Sequence, residues 1–297
     1  FKQFYKPEYV SLVIVGDVEP EATMAMVEKH WGNWKKGDFV NNIAPEPKQQ
    51  AAKYVHEKFD GLPGHWLLVS YKGTDWQPKK KDRAALDLIS ELYFSNNSAL
   101  YQELVVEKQL ASQMFNYNPA TKDAGLRHVF IKVNEEQDLV TVRDAINRTY
   151  AQVRTELVSE EKLDNLKSNL KYSFVNSLDS SESIASTLAS YMHFDRDPET
   201  INHLYNSFDN ISADDIKRIA NKYFIDENRT TVTLSALDKV AGFEKEVTLN
   251  TAVANLKMKK SQPTKAQFTV LDKTNDSPLI DVNFLFYTGA AADPVGK

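Results

Sequence analysis

The sequence predicts an α+β fold in which helices pack on one face of an antiparallel sheet. Strand patterns come in neighbouring pairs, at residues 53–59 with 65–72 and at residues 111–118 with 127–133. A long helical region with breaks follows at 138–224. Strands that precede helices in this way favour an α+β fold over a doubly wound parallel sheet, in which strands and helices alternate.

Two segments near the start of the chain recur near its end at almost the same offset. Residues 4–15 match residues 223–234 in an aromatic pair, a short acidic turn and a β-branched strand. Residues 54–71 are echoed at 269–286, where two apolar runs again surround a turn that contains proline. A repeat of domain size indicates a duplicated domain family. The chain is therefore predicted to hold the end of one copy, all of a second and the start of a third.

The first 35 residues are predicted to be the closing strand and helix of a preceding domain. Residues 9–17 have the apolar pattern of a buried strand, and Pro20 begins an amphipathic stretch that is typical of a helix. Residues 36–52 carry lysine, glycine, asparagine and proline with little periodicity. They are therefore predicted to be a linker.

Residues 53–237 are predicted to form one complete domain. Its first two strands look like a hairpin around the glycine- and proline-containing turn at 60–64. A helix is predicted at 79–94 and a shorter one at 98–108, ahead of the second pair of strands. A strand at 230–236 closes the domain.

Serine residues mark helix starts inside the long helical region. Ser159 and Ser212 each precede acidic residues, and a serine hydroxyl can accept a hydrogen bond from a free amide while acidic groups suit the positive end of the helix dipole. After the closing strand, residues 238–265 form a polar connection that is predicted to link two halves of a larger protein. Residues 266–297 are predicted to be the first strands of the next domain.

Composition argues against several classes of partner. The formal net charge of −5 gives no reason to expect nucleic acid, because phosphate-binding proteins need clustered positive charge. The densest basic run, at 79–83, is better explained as a solvated helix start. No apolar stretch is long enough to predict a membrane segment. The chain has no cysteine, so it can form no disulfide and offers no thiolate ligand or nucleophile.

No pattern in the chain predicts a catalytic centre or a metal site of its own. None of the six histidines has the spacing that places two imidazoles on one helix face. His56 and His65 are close in sequence, but hairpin pairing would turn them to opposite faces of the sheet. Glycine-rich phosphate loops and the GxSxG motif of serine hydrolases are also missing from the sequence. We therefore predict no catalytic residue, no metal ligand and no cofactor in this chain.

Several segments resemble the insulinase-type (pitrilysin) zinc metallopeptidases, the inverzincins. The run FKQFYKPEYVSLVIVGDVEPEATMAMVEKHWGNW is similar to the end of their first domain, where FY-x-P, an apolar strand, GDV and a helix recur. SALYQELVVEKQLASQMFNY looks like a stretch of their second domain. LIDVNFLFYTGAAADPVGK resembles the start of the next half, just before the zinc motif would fall.

The resemblance implies a two-half enzyme whose zinc lies outside this chain. In the family, two histidines of HxxEH and a downstream glutamate hold zinc, and the glutamate of the motif acts as general base on the zinc-bound water. All of these residues would precede Phe1. The chain would then be a non-catalytic supporting segment that forms chamber wall, while the full-length parent uses zinc to cleave peptides or unfolded polypeptides. The alternative is an inactive structural or binding paralogue without zinc.

The resemblance also suggests which residues line the chamber. Val105 and Ser112 occupy the positions where the partner half of the family carries an arginine and a tyrosine that grip the peptide backbone. Together with Ser98 and Tyr101, they are the candidate chamber-lining residues. The expected partners are the remaining domains of the same polypeptide and a peptide substrate. A homodimer through exposed end strands is a further prediction, and the family suggests the bacterial periplasm.

Overall fold

The computed structural model describes residues 4–38, 44–61 and 64–243, and within them five strands form one sheet. The order across the sheet is β1-β5-β2-β4-β3. The strands are β1 (Lys53–Lys58), β2 (His65–Lys72), β3 (Ala111–Tyr117), β4 (Leu126–Val133) and β5 (Arg229–Ser235). All five lie where the sequence predicted strands.

The described residues also contain the predicted helices, and two of their predicted caps are present. Ser159 accepts a hydrogen bond from the amide of Lys162 at 3.4 Å, and Ser212 forms a capping box with Asp215. The helices are α1 (Pro20–Trp31), α2 (Lys81–Phe94), α3 (Ala99–Tyr101) with a π-helical continuation (Gln102–Glu107), α4 (Leu139–Thr155), α5 (Glu160–Asn176), α6 (Ser181–Met192), α7 (Thr200–Asp209) and α8 (Ala213–Tyr223).

The last strand of the domain lies between the first two. Thr233 on β5 has His56 of β1 as its partner on one side and Leu67 of β2 on the other. The β1–β5 pair is parallel and the other three pairs are antiparallel. The α+β class is confirmed, but the predicted hairpin between β1 and β2 is wrong. Two apolar runs around a short turn have the same pattern whether they pair or flank a third strand.

Helices α2, α4 and α8 pack on one face of this sheet. Leu67 and Ile131 are fully buried on that face, and they share one core with Leu88 of α2, Ile146 of α4 and Ile219 of α8. Burying a side chain of this kind contributes about 1.5–3 kcal/mol. The domain is therefore stabilised mainly between the sheet and helices α2, α4 and α8.

The strand predicted at residues 9–17 is absent from the structure. Residues 10–15 have no regular secondary structure, and most of their side chains are exposed. An isolated strand leaves its amides and carbonyls without partners, and no described segment pairs with this one. Helix α1 does form as predicted, but none of its residues is buried.

The predicted connections can be followed only in part. Residues 36–38 and 44–52 have no regular helix or strand, as a linker should. The predicted polar connection at 238–265 lies outside the described residues beyond Phe243, and the predicted strands at 266–297 lie wholly outside them. The domain boundaries therefore stay predictions.

Candidate functional site: the open face of the sheet

The face of the sheet opposite the helices carries large, partly exposed side chains. On β3, Phe115 is 43% exposed and Tyr117 is 56% exposed, whereas Met114, which precedes Phe115, is 2% exposed on the core side. We call this second face the open face. Its central residues are Trp66, Leu68 and Ser70 on β2, Phe115 and Tyr117 on β3, His128, Phe130 and Lys132 on β4, and Val232 and Leu234 on β5.

Five rings form a continuous row across β2, β3 and β4. Phe115 stacks on Phe130 with ring centroids 5.0 Å apart and an angle of 10° between the planes. The edge of Trp66 meets Phe115 at 6.3 Å. His128 lies 5.7 Å from Phe130, and Tyr117 stacks on His128 at 6.1 Å. We call these five residues the aromatic row.

Strand register explains why the rings meet. Phe115 is the cross-strand partner of Phe130, and Tyr117 is the partner of His128. Directly opposed side chains on one face of an antiparallel pair have Cβ atoms about 4.5–5.5 Å apart, which brings aromatic rings into contact. Such ring pairs contribute about 0.5–1.5 kcal/mol beyond the area they bury. The row is thus a preformed apolar surface.

His128 is held in place by a buried serine. The hydroxyl oxygen of Ser70 lies 2.8 Å from Nδ1 of His128, and strand register places the two residues opposite each other. Burial lowers the pKa of His128, which favours a neutral ring. Ser70 is only 2% exposed, so its hydroxyl orients the imidazole rather than presenting a nucleophile.

A lysine stands at one end of the aromatic row. Lys132 is the cross-strand partner of Trp66 on one side and of Gln113 on the other. Its stem passes close to Gly64, where a Cβ would lie 3.2 Å from Cε of the lysine. Within the described ranges Lys132 has no acidic group within ion-pair distance. Among the described residues, the positive charge of its ammonium group therefore has no acidic partner.

The predicted chamber-lining residues lie in two places. Ser98 is 2% exposed, and its hydroxyl accepts a hydrogen bond from the amide of Tyr101 at 3.2 Å, so it caps α3. Tyr101 and Val105 are half-buried against the core on α3 and its π-helical continuation. Ser112 is exposed at a bulge in β3, and its hydroxyl donates to the carbonyl of Lys132 at 3.4 Å. Their role as chamber lining stays a prediction.

The histidines of the described residues do not assemble a metal site. No group of three or more histidine, cysteine, aspartate or glutamate residues there could hold a metal ion. Strand register places His56 and His65 on the same face of the sheet, so the predicted opposite orientation is wrong because the two strands do not form a hairpin. His56 lies within 2.9 Å of both the Thr233 hydroxyl and the Leu237 carbonyl, which gives it a structural role.

The aromatic row is the feature that sequence reasoning missed. Its signal was present, since Phe115 with Tyr117 and His128 with Phe130 alternate along two adjacent strands. Aromatic residues at alternate positions on neighbouring strands must meet if the strands pair in register.

In the part of the chain that the structure describes, no helix is long and apolar enough to cross a membrane.

Comparisons with known proteins agree on one family. A family model described as the peptidase M16 inactive domain matches residues 1–170. The zinc protease PqqE of Helicobacter pylori is 30% identical over 235 residues, which is 78% of this chain and 52% of that protein. The crystal structure of a protease from Helicobacter pylori is similar with a TM-score of 0.67 and 28% identity, over 74% of this chain and 53% of that one.

A larger protein contains the same fold. The periplasmic protease PqqL from Escherichia coli is similar with a TM-score of 0.54 and 18% identity, over 75% of this chain and 25% of that one. The chain spans about half the length of the curated relative that it matches at 30% identity. On the family model and this identity, the chain belongs to the insulinase/pitrilysin-type peptidases and contains their M16 inactive domain.

Proposed function

We propose that the chain is a non-catalytic segment of a zinc metalloendopeptidase and that its open face forms part of the wall of the substrate chamber. The observation that carries this proposal is the exposed aromatic row on the face that the helices leave uncovered. Exposed apolar surface of this kind on a folded domain marks a place where a partner or ligand binds. The name of the PqqE relative, a zinc protease, supports zinc in the full-length parent.

The residues of the open face suit binding rather than bond cleavage. Rings of Phe115 and Tyr117 can pack against side chains of an extended polypeptide, and no carboxylate pair or metal group stands beside them in the described strands. The residues that the structure describes do not fit a zinc site, so we propose that zinc binds in another part of the parent. There a zinc ion would supply an activated water. The chain itself would hold and orient the substrate.

The remaining proposals concern partners and location. The domains that complete the peptidase, in the same polypeptide, are the proposed main partners, and the substrate is a peptide or an unfolded polypeptide. The similar fold of PqqL, described as a periplasmic protease, supports the bacterial periplasm as the proposed compartment. A homodimer through the ends of the chain remains a proposal that sedimentation can test.

A photo-crosslinking experiment on the full-length parent tests the chamber-wall role. p-Benzoylphenylalanine is placed at Phe115, and a labelled unfolded polypeptide is added before illumination. We expect a crosslink to the polypeptide. The matched control has the same group at Tyr172, which is 71% exposed on α5 on the helical side, and we expect no crosslink there. Equal crosslinking at both sites would overturn the proposed role.

Cleavage assays separate the proposed enzyme from its alternative. The parent, with stoichiometric zinc, should cleave a quenched fluorescent polypeptide, whereas the 297-residue chain should not, even with added zinc. Turnover by the chain alone would contradict a non-catalytic segment. A parent that crosslinks the polypeptide but binds no zinc and cleaves nothing would instead identify the structural or binding paralogue.

A further inference from the structure

We infer that the aromatic row and Lys132 form a subsite for an extended, acidic peptide segment with an aromatic or large apolar residue two positions from a carboxylate. This inference rests on the proposed function and deepens it by naming the class of substrate. It depends on two features of the open face, which are its charge and the spacing of its side chains.

The open face is positive although the whole chain is negative. Among the strand residues of this face that the structure describes, three are lysines, Lys53, Lys72 and Lys132, and one is acidic, Glu57. Lys72 is neutralised by Glu46. The remaining positive charge contrasts with the formal net charge of −5 for the chain. A bound segment with negative charge would complement it.

Glu57 is too far away to neutralise Lys132. Glu57 is the partner of Leu234, which is the partner of Trp66, which in turn is the partner of Lys132. Adjacent strands lie about 4.8 Å apart, so three strand spacings put the two side chains roughly 14 Å from each other. That distance exceeds the Debye length of about 8 Å at physiological ionic strength, so the lysine charge is available to a ligand.

The spacing of the side chains matches an extended peptide. Phe130 and Lys132 are two residues apart on β4 and point to the same face, which sets them about 6.7 Å apart along the strand. An extended peptide repeats its own side chains at the same interval. A residue that packs on the stacked rings of Phe115 and Phe130 therefore places the carboxylate two positions away next to Lys132.

Fluorescence anisotropy with labelled peptides tests the subsite on the 297-residue chain. The probe is a ten-residue peptide in which every second residue is serine. Phenylalanine and glutamate alternate at the positions between the serines, so that each phenylalanine stands two positions from a glutamate. One comparison peptide has lysine for glutamate, and another has alanine for phenylalanine. We expect the first peptide to bind most tightly and its affinity to fall as salt is raised from 0.05 to 0.5 M. Equal affinity for all three peptides would overturn the inference.

Two substitutions locate the binding. Lys132→Gln should reduce the affinity for the acidic peptide by roughly two- to fivefold, and it should leave the affinity for the lysine peptide unchanged or increase it. Phe115→Ala should reduce the affinity for the acidic peptide by roughly fivefold or more. The controls are Lys162→Gln and Tyr172→Ala, exposed positions on α5 that should leave affinity unchanged. Circular dichroism checks that each variant is folded, and unchanged binding by folded Lys132→Gln would contradict the assignment.

The outcomes distinguish this subsite from the proposed function. If the parent cleaves acidic and basic peptides equally well, the result supports the proposed function and contradicts the subsite. A parent without zinc or cleavage whose chain still prefers the acidic peptide would retain the subsite alone. If sedimentation shows a dimer that Phe115→Ala dissolves, the occupant of the face is a second copy of the chain and the inference fails.

Discussion

Arg127 donates a hydrogen bond through Nη1 to the carboxylate of Asp87 at 2.5 Å, deep between the sheet and α2. The same carboxylate accepts a second hydrogen bond from Nε of Arg83 at 2.9 Å. Arg127 and Arg83 are 6% and 8% exposed. Burial lowers the pKa of Arg127 and the charge of Asp87 raises it, so the aspartate is what makes this buried cation tolerable.

Replacing Asp87 by asparagine should therefore be severely destabilising. The change leaves two buried guanidinium groups with no negative partner between them, and breaking a buried pair in this way costs about 3–5 kcal/mol. Urea unfolding followed by circular dichroism measures the loss. The matched control is Asp144→Asn, which removes an ion pair to Arg143 at a side chain that is 59% exposed, and this should cost at most about 1 kcal/mol. Equal losses would contradict the argument.

Removing the capping box should weaken α8. The hydroxyl of Ser212 accepts a hydrogen bond from the amide of Asp215 at 3.1 Å, and an N-cap serine replaced by alanine costs about 1 kcal/mol. Ser212→Ala should lower the free energy of unfolding by that amount, and Ser212→Thr should restore most of it. Ser181→Ala, at an exposed residue in the first turn of α6, serves as the control. A loss from Ser181→Ala as large as that from Ser212→Ala would argue against the cap.

Asp215 should make the protein sensitive to acid. Burial alone would raise the pKa of Asp215. Hydrogen bonds from Arg218 and Lys81 and from the Ser212 amide lower the pKa by more than burial raises it, so the pKa lies well below its usual range. The unfolded chain then binds this proton more tightly than the folded one. The stabilisation is present above the ordinary aspartate pKa of about 3.9 and is lost as the pH falls through the lower folded value.

Unfolding measured between pH 6 and pH 2 checks this prediction. Asp215→Asn should reduce the free energy of unfolding at pH 6 by about 1.5–3 kcal/mol, the range for hydrogen bonds to a charged group. The variant should also lose less stability on acidification than the unsubstituted chain. Asp164→Asn, at a side chain that is 69% exposed, should leave the acid dependence unchanged. If the free energy of unfolding of Asp215→Asn and that of the unsubstituted chain change in parallel with pH, the prediction is refuted.

His128 should add a second pH dependence in a higher range. Because burial lowers its pKa, the unfolded chain binds the proton more tightly than the folded chain. The stabilisation is complete above the unfolded pKa of about 6.5 and is lost as the pH falls through that value toward the folded one. His128→Phe should flatten the stability curve between pH 7 and pH 5. His30→Gln, an exposed change on α1, should leave the curve as it is.

Much of the domain could be predicted from local pattern. The alternation along 127–133 and the caps at Ser159 and Ser212 depend on nearby residues, and all three were confirmed. The position of β5 could not be predicted in the same way. Its choice of neighbours depends on which strand edges are free after the helices pack, and that information is spread over the whole chain.

The candidate site was harder to predict than the fold. The family resemblance drew attention to Val105 and Ser112, whereas the contacts in the structure centre on Phe115 and Phe130. A ring row is visible only when two strands are set in register, and register is a tertiary property. The strand predicted at 9–17 failed for a related reason, since an apolar run becomes a strand only with a partner.

The insertion of β5 between β1 and β2 also limits when the sheet can be completed during biosynthesis. His56 can contact Thr233 only after the ribosome has added the 177 residues that lead from one to the other. At a translation rate of about 5–20 residues per second, the wait lasts roughly 10–35 seconds. Meanwhile β2, β4 and β3 can already pair as they leave the ribosome, with the nascent edge of β2 unoccupied. A chaperone that shields β-sheet edges should therefore improve the yield of this protein more than it improves the yield of a domain built from hairpins alone.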